Sequence, residues 1–322
     1  MLPERVHITE VGPRDGLQSE GKIVPTELKA ELVKGLAAAG LQAIQVAAFV
    51  HPKKVPQMAD AEALIASLTP TEGVQFSALT LNRRGVERAC GTSIPWIEVS
   101  LSVSERQSLD NSGMSVDQAR KEAAAMIDMV RAAGRKVRGS IQCSFGCLNE
   151  CEVTPQNVLK TAGLLLEKGV DHLVLADTTG MATPVTIRRL LSQILPLSGA
   201  VPVGLHLHDT RGLGLVNVMA GLEMGIVYFD SALGGLGGCP FVKGAAGNIA
   251  TEDTLHLMRS LDVATGVDIH RVAHWARRLG VFFNRELTGR MHRLTDTGYC
   301  PADPEADLIS SSAGSSFPPA GR

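Results

Sequence analysis

The sequence predicts an α/β protein built as a (β/α)8 barrel. Eight short, β-branched apolar runs recur along the 322 residues, and stretches with helical periodicity lie between them. That alternation indicates parallel βαβ units rather than hairpins. A barrel of this kind takes about 250 residues plus insertions, which suits a chain of this length. The main alternative, a doubly wound open sheet, would carry a glycine-rich dinucleotide turn after its first strand. The first strand here ends in GPRDGLQ instead, which favours the barrel.

The predicted strands and helices alternate in order along the chain. The strands begin at Val6, Ala43, Val74, Trp96, Lys136, His172, Val201 and Ile226. Helical stretches include residues 26–40, 115–134, 155–169, 184–195 and 213–225, and several of them end at a glycine, the usual left-handed stop residue. Beyond these elements the chain is rich in Ser, Pro, Gly and Ala. We therefore expect one barrel domain over residues 1–297 and a flexible tail over 298–322.

The charge balance excludes several classes of protein. The 31 basic and 33 acidic residues leave a net charge of −2, too close to neutral for a protein held to nucleic acid or an anionic membrane by bulk charge. No run approaches the roughly 18 apolar residues of a membrane span, and the first residues lack the apolar core of a signal peptide. We expect a cytoplasmic protein with no nucleic-acid or membrane partner. Its six cysteines are too sparse for a disulfide framework.

Polar residues at the ends of apolar strands mark the expected site. In barrels of this class, catalytic groups lie at the carboxyl ends of the strands and in the loops that follow. Arg14 and Asp15 end the first strand, Asp177 ends the sixth, and His206 and His208 end the seventh, while Gln45 interrupts the second. Residues i and i+2 of a strand project from the same face, so His206 and His208 can converge on one ion. A pair of hydrogen-bonded core histidines is the alternative.

A divalent cation is the predicted ligand at this end of the barrel. Asp15 can supply a carboxylate, and Asn248 can supply a neutral amide oxygen. Two imidazoles, one carboxylate and one amide suit Mg²⁺ or Mn²⁺ better than an all-sulfur zinc site, with Zn²⁺ as an alternative. Arg14 next to Asp15 would ordinarily be an exposed ion pair. Facing a metal, however, a guanidinium is expected to hold an anionic or developing enolate oxygen.

A glycine-rich segment over residues 234–248 holds six of the 33 glycines. Such a loop can close over a ligand with its backbone, and it would carry Cys239 into the site; a plain flexible connection is the alternative. Three other cysteines form a C-x3-C-x3-C pattern at Cys143, Cys147 and Cys151. Because known cluster spacings mostly include a C-x2-C step, we expect these thiols to pack or to line the loop after the fifth strand.

Several separate motifs resemble those of the 3-hydroxy-3-methylglutaryl-CoA lyase family, from about Val6 to Leu294. They are EVGPRDGLQSE, FVHPKKVPQMAD, VRGSIQCSFGC, LADTTG, HLHDT and GGLGGCPFVKGAAGNIATED. The resemblance implies a TIM barrel of the metal-dependent lyase and condensing-enzyme group, and a retro-Claisen cleavage of a 3-hydroxyacyl-CoA to acetyl-CoA and a keto acid. It also implies particular roles for site residues. The cation would be held by Asp15, His206, His208 and Asn248; Arg14 would stabilise the enolate; Cys239 would lie in a mobile loop; His206 and Asp177 would handle protons.

The resemblance further implies an acyl-CoA substrate and a homodimer. Candidate contacts of the substrate or its CoA are Gln18, Arg138, Asn82 and Lys243.

The second strand departs from the family pattern at Gln45, where the lyases that cleave hydroxymethylglutaryl-CoA carry an acidic residue. Glutamine keeps the size and the hydrogen bonding but cannot accept a proton. We still expect Gln45 to belong to the catalytic set. Four hypotheses follow: a lyase for a hydroxymethylglutaryl-CoA-like substrate, a related lyase for another substrate such as citramalyl-CoA, a Claisen-condensing enzyme or 2-oxo acid aldolase, and an inactive binding subunit. The Cys239 loop and the short chain after the barrel favour a lyase.

Overall fold

The computed structural model describes residues 1–147, 153–238 and 246–294. Within these ranges eight parallel strands form a closed barrel in chain order, and β1 pairs with β8 to complete it. The strands are β1 (His7–Glu10), β2 (Ala43–Phe49), β3 (Gln75–Thr80), β4 (Trp96–Ser102), β5 (Lys136–Gln142), β6 (His172–Ala176), β7 (Val203–His206) and β8 (Tyr228–Ser231). The predicted (β/α)8 TIM barrel is confirmed.

Helices surround the barrel and connect its strands. In the described residues they are α1 (Thr26–Ala38), α2 (Ala61–Ser67), α3 (Arg83–Cys90), α4 (Glu105–Ser112), α5 (Val116–Ala132), α6 (Pro155–Glu167), α7 (Pro184–Ser198), α8 (Gly214–Glu223), α9 (Thr251–Ser260) and α10 (Ile269–Phe283). Shorter helical turns lie at Gly12–Gly16, Pro56–Met58, Leu233–Gly235 and Met291–Arg293. The two predicted stop residues Gly134 and Gly169 follow α5 and α6 with positive φ, as a left-handed helix end requires.

The β4 strand shows how side chains are divided between the two faces of the barrel wall. Ile97 and Val99 are fully buried members of the apolar core, and α5 packs against this strand. Glu98 lies between them and projects from the opposite face, into the barrel. The apolar core therefore fills the space between the strands and the helices, while the barrel interior at the level of Glu98 is polar.

Charged side chains pair across this interior. Arg138 is the register partner of Glu98 on the neighbouring strand, and Asp230 is the register partner of His206. The Nη2 atom of Arg138 lies 2.5 and 2.6 Å from the two carboxylate oxygens of Asp230. Burial of such charges is tolerated because each guanidinium has a carboxylate beside it.

One prediction from the sequence, the domain boundary, concerns residues outside the described ranges. The tail over residues 298–322 falls beyond the described residues, so the domain boundary stays a prediction. Of the helices that the structure describes, none combines the length and the hydropathy needed to cross a bilayer.

Candidate active site

Arg14 and Asp15 lie on a tight turn directly after β1. The carbonyl of Val11 accepts the amides of both residues, at 3.1 and 2.7 Å, and that of Gly16 at 3.3 Å, the last of which closes one π-helical turn. Gly12 permits this turn to pack against the segment after β8, because a Cβ at Gly12 would lie 2.3 Å from Cδ2 of Leu233. The backbone of the PRDG motif thus brings Arg14 and Asp15 to the mouth of the barrel.

Asp15, His206 and His208 converge, with one ligand atom of each within 4.8 Å of the others. The Nε2 atoms of the two histidines are 3.2 Å apart, and Nε2 of His206 is 3.8 Å from Oδ2 of Asp15. Two ring nitrogens and a carboxylate oxygen that face one point form a donor set for a divalent cation. Within the described parts of the chain, this is the one set of three such groups close enough to share an ion.

A short backbone pairing brings Asn248 to the same point. The chain that follows β7 pairs with the segment around Asn248, and His208 lies opposite it. The Asp209 amide donates to the carbonyl of Gly247 at 2.8 Å, which holds the two segments together. His208 and Asn248, which lie 40 positions apart along the chain, therefore meet at the barrel mouth.

The side chain of Asn248 leaves its oxygen available. Its Nδ2 donates to Oδ2 of Asp15 at 2.8 Å and to the carbonyl of Leu236 at 3.0 Å. Its Oδ1 is buried and has no hydrogen-bond partner within the described residues. An orphaned amide oxygen beside a carboxylate and two imidazoles is what a bound cation would satisfy, so these residues fit a divalent metal ion.

Burial and the surrounding charges set the protonation of Asp15 and His208. Burial acts to raise the pKa of Asp15, but the charges of Arg14 and the two histidines outweigh it and lower that pKa to about 2. Burial, together with the charge of His206, lowers the pKa of His208 to about 4. At neutral pH Asp15 is therefore a carboxylate and His208 a neutral imidazole, the forms that bind metals.

Asp230 orients His206 from below. Its Oδ2 lies 3.1 Å from Nδ1 of His206, which leaves Nε2 directed at His208 and Asp15. Burial opposes ionisation of Asp230, but the charge of Arg138 prevails and holds the pKa of Asp230 well below its usual range. A carboxylate on the far nitrogen of a metal-binding histidine fixes the ring and its tautomer.

Arg14, Gln45 and Glu98 form a second chain of contacts. Nε of Arg14 donates to Oε1 of Gln45, and Nη1 of Arg14 pairs with Oδ1 of Asp15. Nε2 of Gln45 in turn donates to Oε2 of Glu98 at 2.7 Å. The register between β2 and β3 shifts just after Gln45, an irregularity of the kind that redirects side chains near active sites.

Asp177 follows β6 and is buried. Its Oδ1 accepts the amides of Met181 and Ala182 at 2.7 and 3.0 Å, while its Oδ2 has no hydrogen-bond partner among the residues described. Burial raises the pKa of Asp177 to about 6. A carboxyl group with that pKa and an unbonded oxygen can exchange a proton near neutral pH.

The predicted contacts of the substrate or its CoA do not all lie at the site. Gln18 reaches the site, with Nε2 donating to Oδ1 of Asp15 at 3.4 Å. Asn82 begins α3, and its side chain accepts the amide of Gly85 as a helix cap. Arg138 lies inside the barrel with a side chain only 5% exposed. Both Cys239 and Lys243 lie outside the described residues.

Two cysteines of the C-x3-C-x3-C pattern are packed inside the protein. Cys143 and Cys147 are buried, and the Sγ of Cys143 donates to Oε1 of Gln107 at 3.1 Å. Contact with the Cys147 thiol, together with burial, raises the pKa of Cys143. The Cys143 thiol is thus a poor metal ligand and a poor nucleophile. Cys151 lies outside the described residues.

Sequence reasoning missed three buried carboxylates that support the site: Glu10, Glu98 and Asp230. The predicted site residues lie mainly where strands end, whereas Glu98 stands inside β4. Its signal was present, because a charged residue in the middle of WIEVSLS must have partners inside the barrel.

Comparison with known proteins agrees with this geometry. Residues 5–278 match the model of the HMGL-like family. The mitochondrial hydroxymethylglutaryl-CoA lyase of Mus musculus is 36% identical over 294 residues, which are 91% of this chain and 90% of that protein. The cytoplasmic 3-hydroxy-3-methylglutaryl-CoA lyase of Mus musculus is 39% identical over 271 residues, 84% of this chain and 79% of that protein.

Solved structures show the same relationship. A hydroxymethylglutaryl-CoA lyase from Pseudomonas aeruginosa has a TM-score of 0.88 at 36% identity, covering 92% of this chain and 99% of that one. An HMG-CoA lyase from Acinetobacter baumannii, in complex with coenzyme A and 3-methylmalate, has a TM-score of 0.87 at 33% identity, covering 93% and 98%. With the family model matched over most of its length, this chain belongs to the HMGL-like family.

Proposed function

We infer that this protein is a metal-dependent carbon–carbon lyase that cleaves a hydroxymethylglutaryl-CoA-like 3-hydroxyacyl-CoA to acetyl-CoA and a keto acid. The observation that carries this conclusion is the convergence of Asp15, His206 and His208 beside Arg14, in a chain of the HMGL-like family. Its relatives are named as lyases of this substrate, and one of them was solved with coenzyme A and 3-methylmalate.

The metal would be held by Asp15, His206, His208 and the Oδ1 atom of Asn248. Mixed oxygen and nitrogen ligands favour Mg²⁺ or Mn²⁺, with Zn²⁺ as the alternative. When bound, such an ion supplies Lewis-acid stabilisation for oxygens of the substrate that carry developing negative charge.

The cleavage transfers one proton and breaks one carbon–carbon bond. As the 3-hydroxyl proton leaves, C3–O becomes a carbonyl and the C2–C3 bond breaks, with its electron pair passing into the thioester as an enolate. Protonation of that enolate at C2 gives acetyl-CoA. Arg14 is the cationic group at the barrel mouth that would hold the enolate oxygen.

Proton handling falls to residues around this mouth. Asp177 supports that role, because burial raises its pKa to about 6 and one carboxyl oxygen has no partner within the described residues. His206 is the candidate proton acceptor beside it, and Cys239 is the proposed acid for the final protonation. Gln45 acts on Arg14 and not on protons, because an amide cannot accept one.

The proposal also covers the contacts of the substrate and its CoA, the oligomeric state and the location of the protein. Gln18, Asn82 and Lys243 stay proposed contacts of the substrate or its CoA. Arg138 stays a proposed contact as well, with its guanidinium buried against Asp230. A homodimer also stays a prediction. So does a cytoplasmic location, since relatives with mitochondrial and with cytoplasmic names are both similar to this chain.

A direct assay tests the proposal. The purified protein is incubated with Mg²⁺ or Mn²⁺ and either hydroxymethylglutaryl-CoA or citramalyl-CoA, and released acetyl-CoA is measured. We expect turnover that a chelator abolishes and that added metal restores. Release from citramalyl-CoA alone would reassign the substrate. Absence of turnover with both thioesters, while calorimetry shows metal bound, would refute the lyase function.

A further inference from the structure

Glu98 is a buried carboxylate that contacts two separate parts of the active site. It lies on β4, is 4% exposed, and its Oε2 accepts from Nε2 of Gln45 at 2.7 Å. The same oxygen is 3.5 Å from Nε of Arg138. Gln45 links Glu98 to Arg14. On the other side, Arg138 and Asp230 link it to His206.

These contacts close a ring inside the barrel. Arg14 pairs with Asp15 on one side and with Gln45 on the other. Glu98, Arg138, Asp230 and His206 continue the ring, and His206 returns to Asp15 at 3.8 Å. Residues from β2, β4, β5, β7 and β8 take part, so the position of each polar group depends on its neighbours in the ring.

The two partners of Gln45 require the same orientation of its amide. Nε–H of Arg14 can only donate, so it needs the amide oxygen. The carboxylate of Glu98 can only accept, so it needs the amide nitrogen. If Glu98 lost its charge, the reversed amide would become accessible, and that orientation would direct an NH₂ group at the Arg14 cation.

The geometry points to Glu98 as a positioning residue that fixes the Arg14 guanidinium through the oriented amide of Gln45. Glu98 and Gln45 form one functional unit, which places a single negative charge behind Arg14. This inference rests on the proposed lyase function, in which Arg14 holds the enolate oxygen. It assigns to the reaction a residue that touches neither the substrate nor the metal.

The unit tolerates only one carboxylate. Replacing Gln45 with glutamate while Glu98 is retained would bring two carboxylate oxygens to about 2.7 Å in a buried site, where like charges repel strongly. The double variant Gln45→Glu with Glu98→Gln returns one carboxylate and one amide to the same pair of positions. It therefore preserves composition and total charge and reverses only the order of the two groups.

The test compares the steady-state kinetics of wild type, Glu98→Gln, Gln45→Glu and the double variant with hydroxymethylglutaryl-CoA and Mn²⁺. We expect each single substitution to lower kcat at least about tenfold with KM changed less than about threefold. The double variant should recover at least about tenfold over Gln45→Glu. Asp60→Asn is the matched control: it removes a carboxylate that pairs with the buried Lys29 where α1 meets α2, and it should leave kcat unchanged.

A spectroscopic measurement separates this inference from the lyase function. The Nε–H signal of Arg14 in a ¹⁵N–¹H spectrum, identified by its loss in Arg14→Lys, reports the bond to Gln45. We expect a slowly exchanging signal in wild type, a shifted or broadened signal in Glu98→Gln, and recovery in the double variant. If wild type proves inactive on both thioesters, the lyase function fails and this signal still decides the positioning role.

Three outcomes would overturn the inference. One is a Glu98→Gln variant whose kcat stays within about twofold of wild type. Another is an Arg14 signal that does not change in that variant. The last is a loss of kcat in Glu98→Gln that the Asp60→Asn control reproduces at an equal drop in melting temperature, because a purely structural role would produce that pattern.

Discussion

The carboxylate of Asp230 lies 3.1 Å from Nδ1 of His206, on the adjacent strand of the barrel. This contact orients the histidine at the end of β7, with its Nε2 facing Nε2 of His208 at 3.2 Å. Arg138 holds Asp230 in turn. The orientation of His206 at the barrel mouth thus depends on charged side chains deeper inside the barrel.

Asp230→Asn is expected to weaken metal binding without removing a ligand. The neutral amide loses the charge that orients His206 and pairs with Arg138, and such outer contacts are worth about 10–100-fold in metal affinity. Mn²⁺ affinity can be measured by titration calorimetry or by electron paramagnetic resonance. Asp128→Asn, which removes an exposed partner of Lys168, serves as the control. An unchanged Mn²⁺ affinity in Asp230→Asn would show that His206 is oriented without this contact.

His208→Ala is expected to abolish metal binding and turnover together. The substitution removes one of the three converging donor groups, so we expect Mn²⁺ affinity to fall at least about 100-fold. His270→Ala, at an exposed position of α10, is the matched control and should bind Mn²⁺ as wild type does. A His208→Ala protein that retains tightly bound metal would remove His208 from the ligand set.

Gly237→Ala should damage the metal site through a steric clash. Gly237 has a φ of 101°, and a Cβ there would lie 2.5 Å from Nδ2 of Asn248. Gly225→Ala is a matched control, because Gly225 also has a positive φ, 85°, but its Cβ would have no heavy atom within 4 Å. Both substitutions place an alanine in the left-handed region, which lowers the unfolding free energy by about 1 kcal/mol. Only Gly237→Ala should also lower Mn²⁺ affinity; equal affinities in the two variants would contradict the prediction.

Glu10 should give the protein a stability that depends on pH. Burial raises the pKa of Glu10 from 4.5 to about 7. Its Oε1 accepts the amides of Gly12 and Leu233, at 2.7 and 3.0 Å, so it joins the PRDG turn to the segment after β8. Because the folded state retains this proton more readily, its contribution is complete below about pH 4.5 and is lost as the pH rises through about 7.

Glu10→Gln removes that titration while keeping the shape of the side chain. We expect the variant to gain unfolding free energy relative to wild type between pH 5 and pH 8, by at most about 3 kcal/mol. Urea denaturation at the two pH values measures the difference. Glu31→Gln, on an exposed ion pair with Arg278, should show no such change. Equal pH dependence in wild type and Glu10→Gln would contradict the prediction.

Much of the site was predictable from local patterns. Arg14, Asp15, His206 and His208 each stand where an apolar strand ends, and in a parallel barrel all strand ends of one polarity meet at one mouth. Their convergence therefore followed from the fold class. The pairing of Asn248 with His208 was less accessible, because it depends on how two loops fold against each other.

The partners inside the barrel were beyond local patterns. Gln45 and Glu98 are 53 residues apart, and Arg138 and Asp230 are 92 residues apart. Arg138 illustrates the consequence, since no spacing within its motif indicates that the register of the strands buries it against Asp230.

The sequence by itself determined the alternation of strands and helices, the barrel that this alternation forms, and the donor types gathered at its mouth. These depend on side-chain periodicity and on residue chemistry, which are local properties of the chain. Tertiary structure alone decided which carboxylate stands behind each cation and which amide oxygen remains unbonded. Those outcomes depend on the register and curvature of a closed barrel, because contacts across its interior join residues that no spacing along the chain relates.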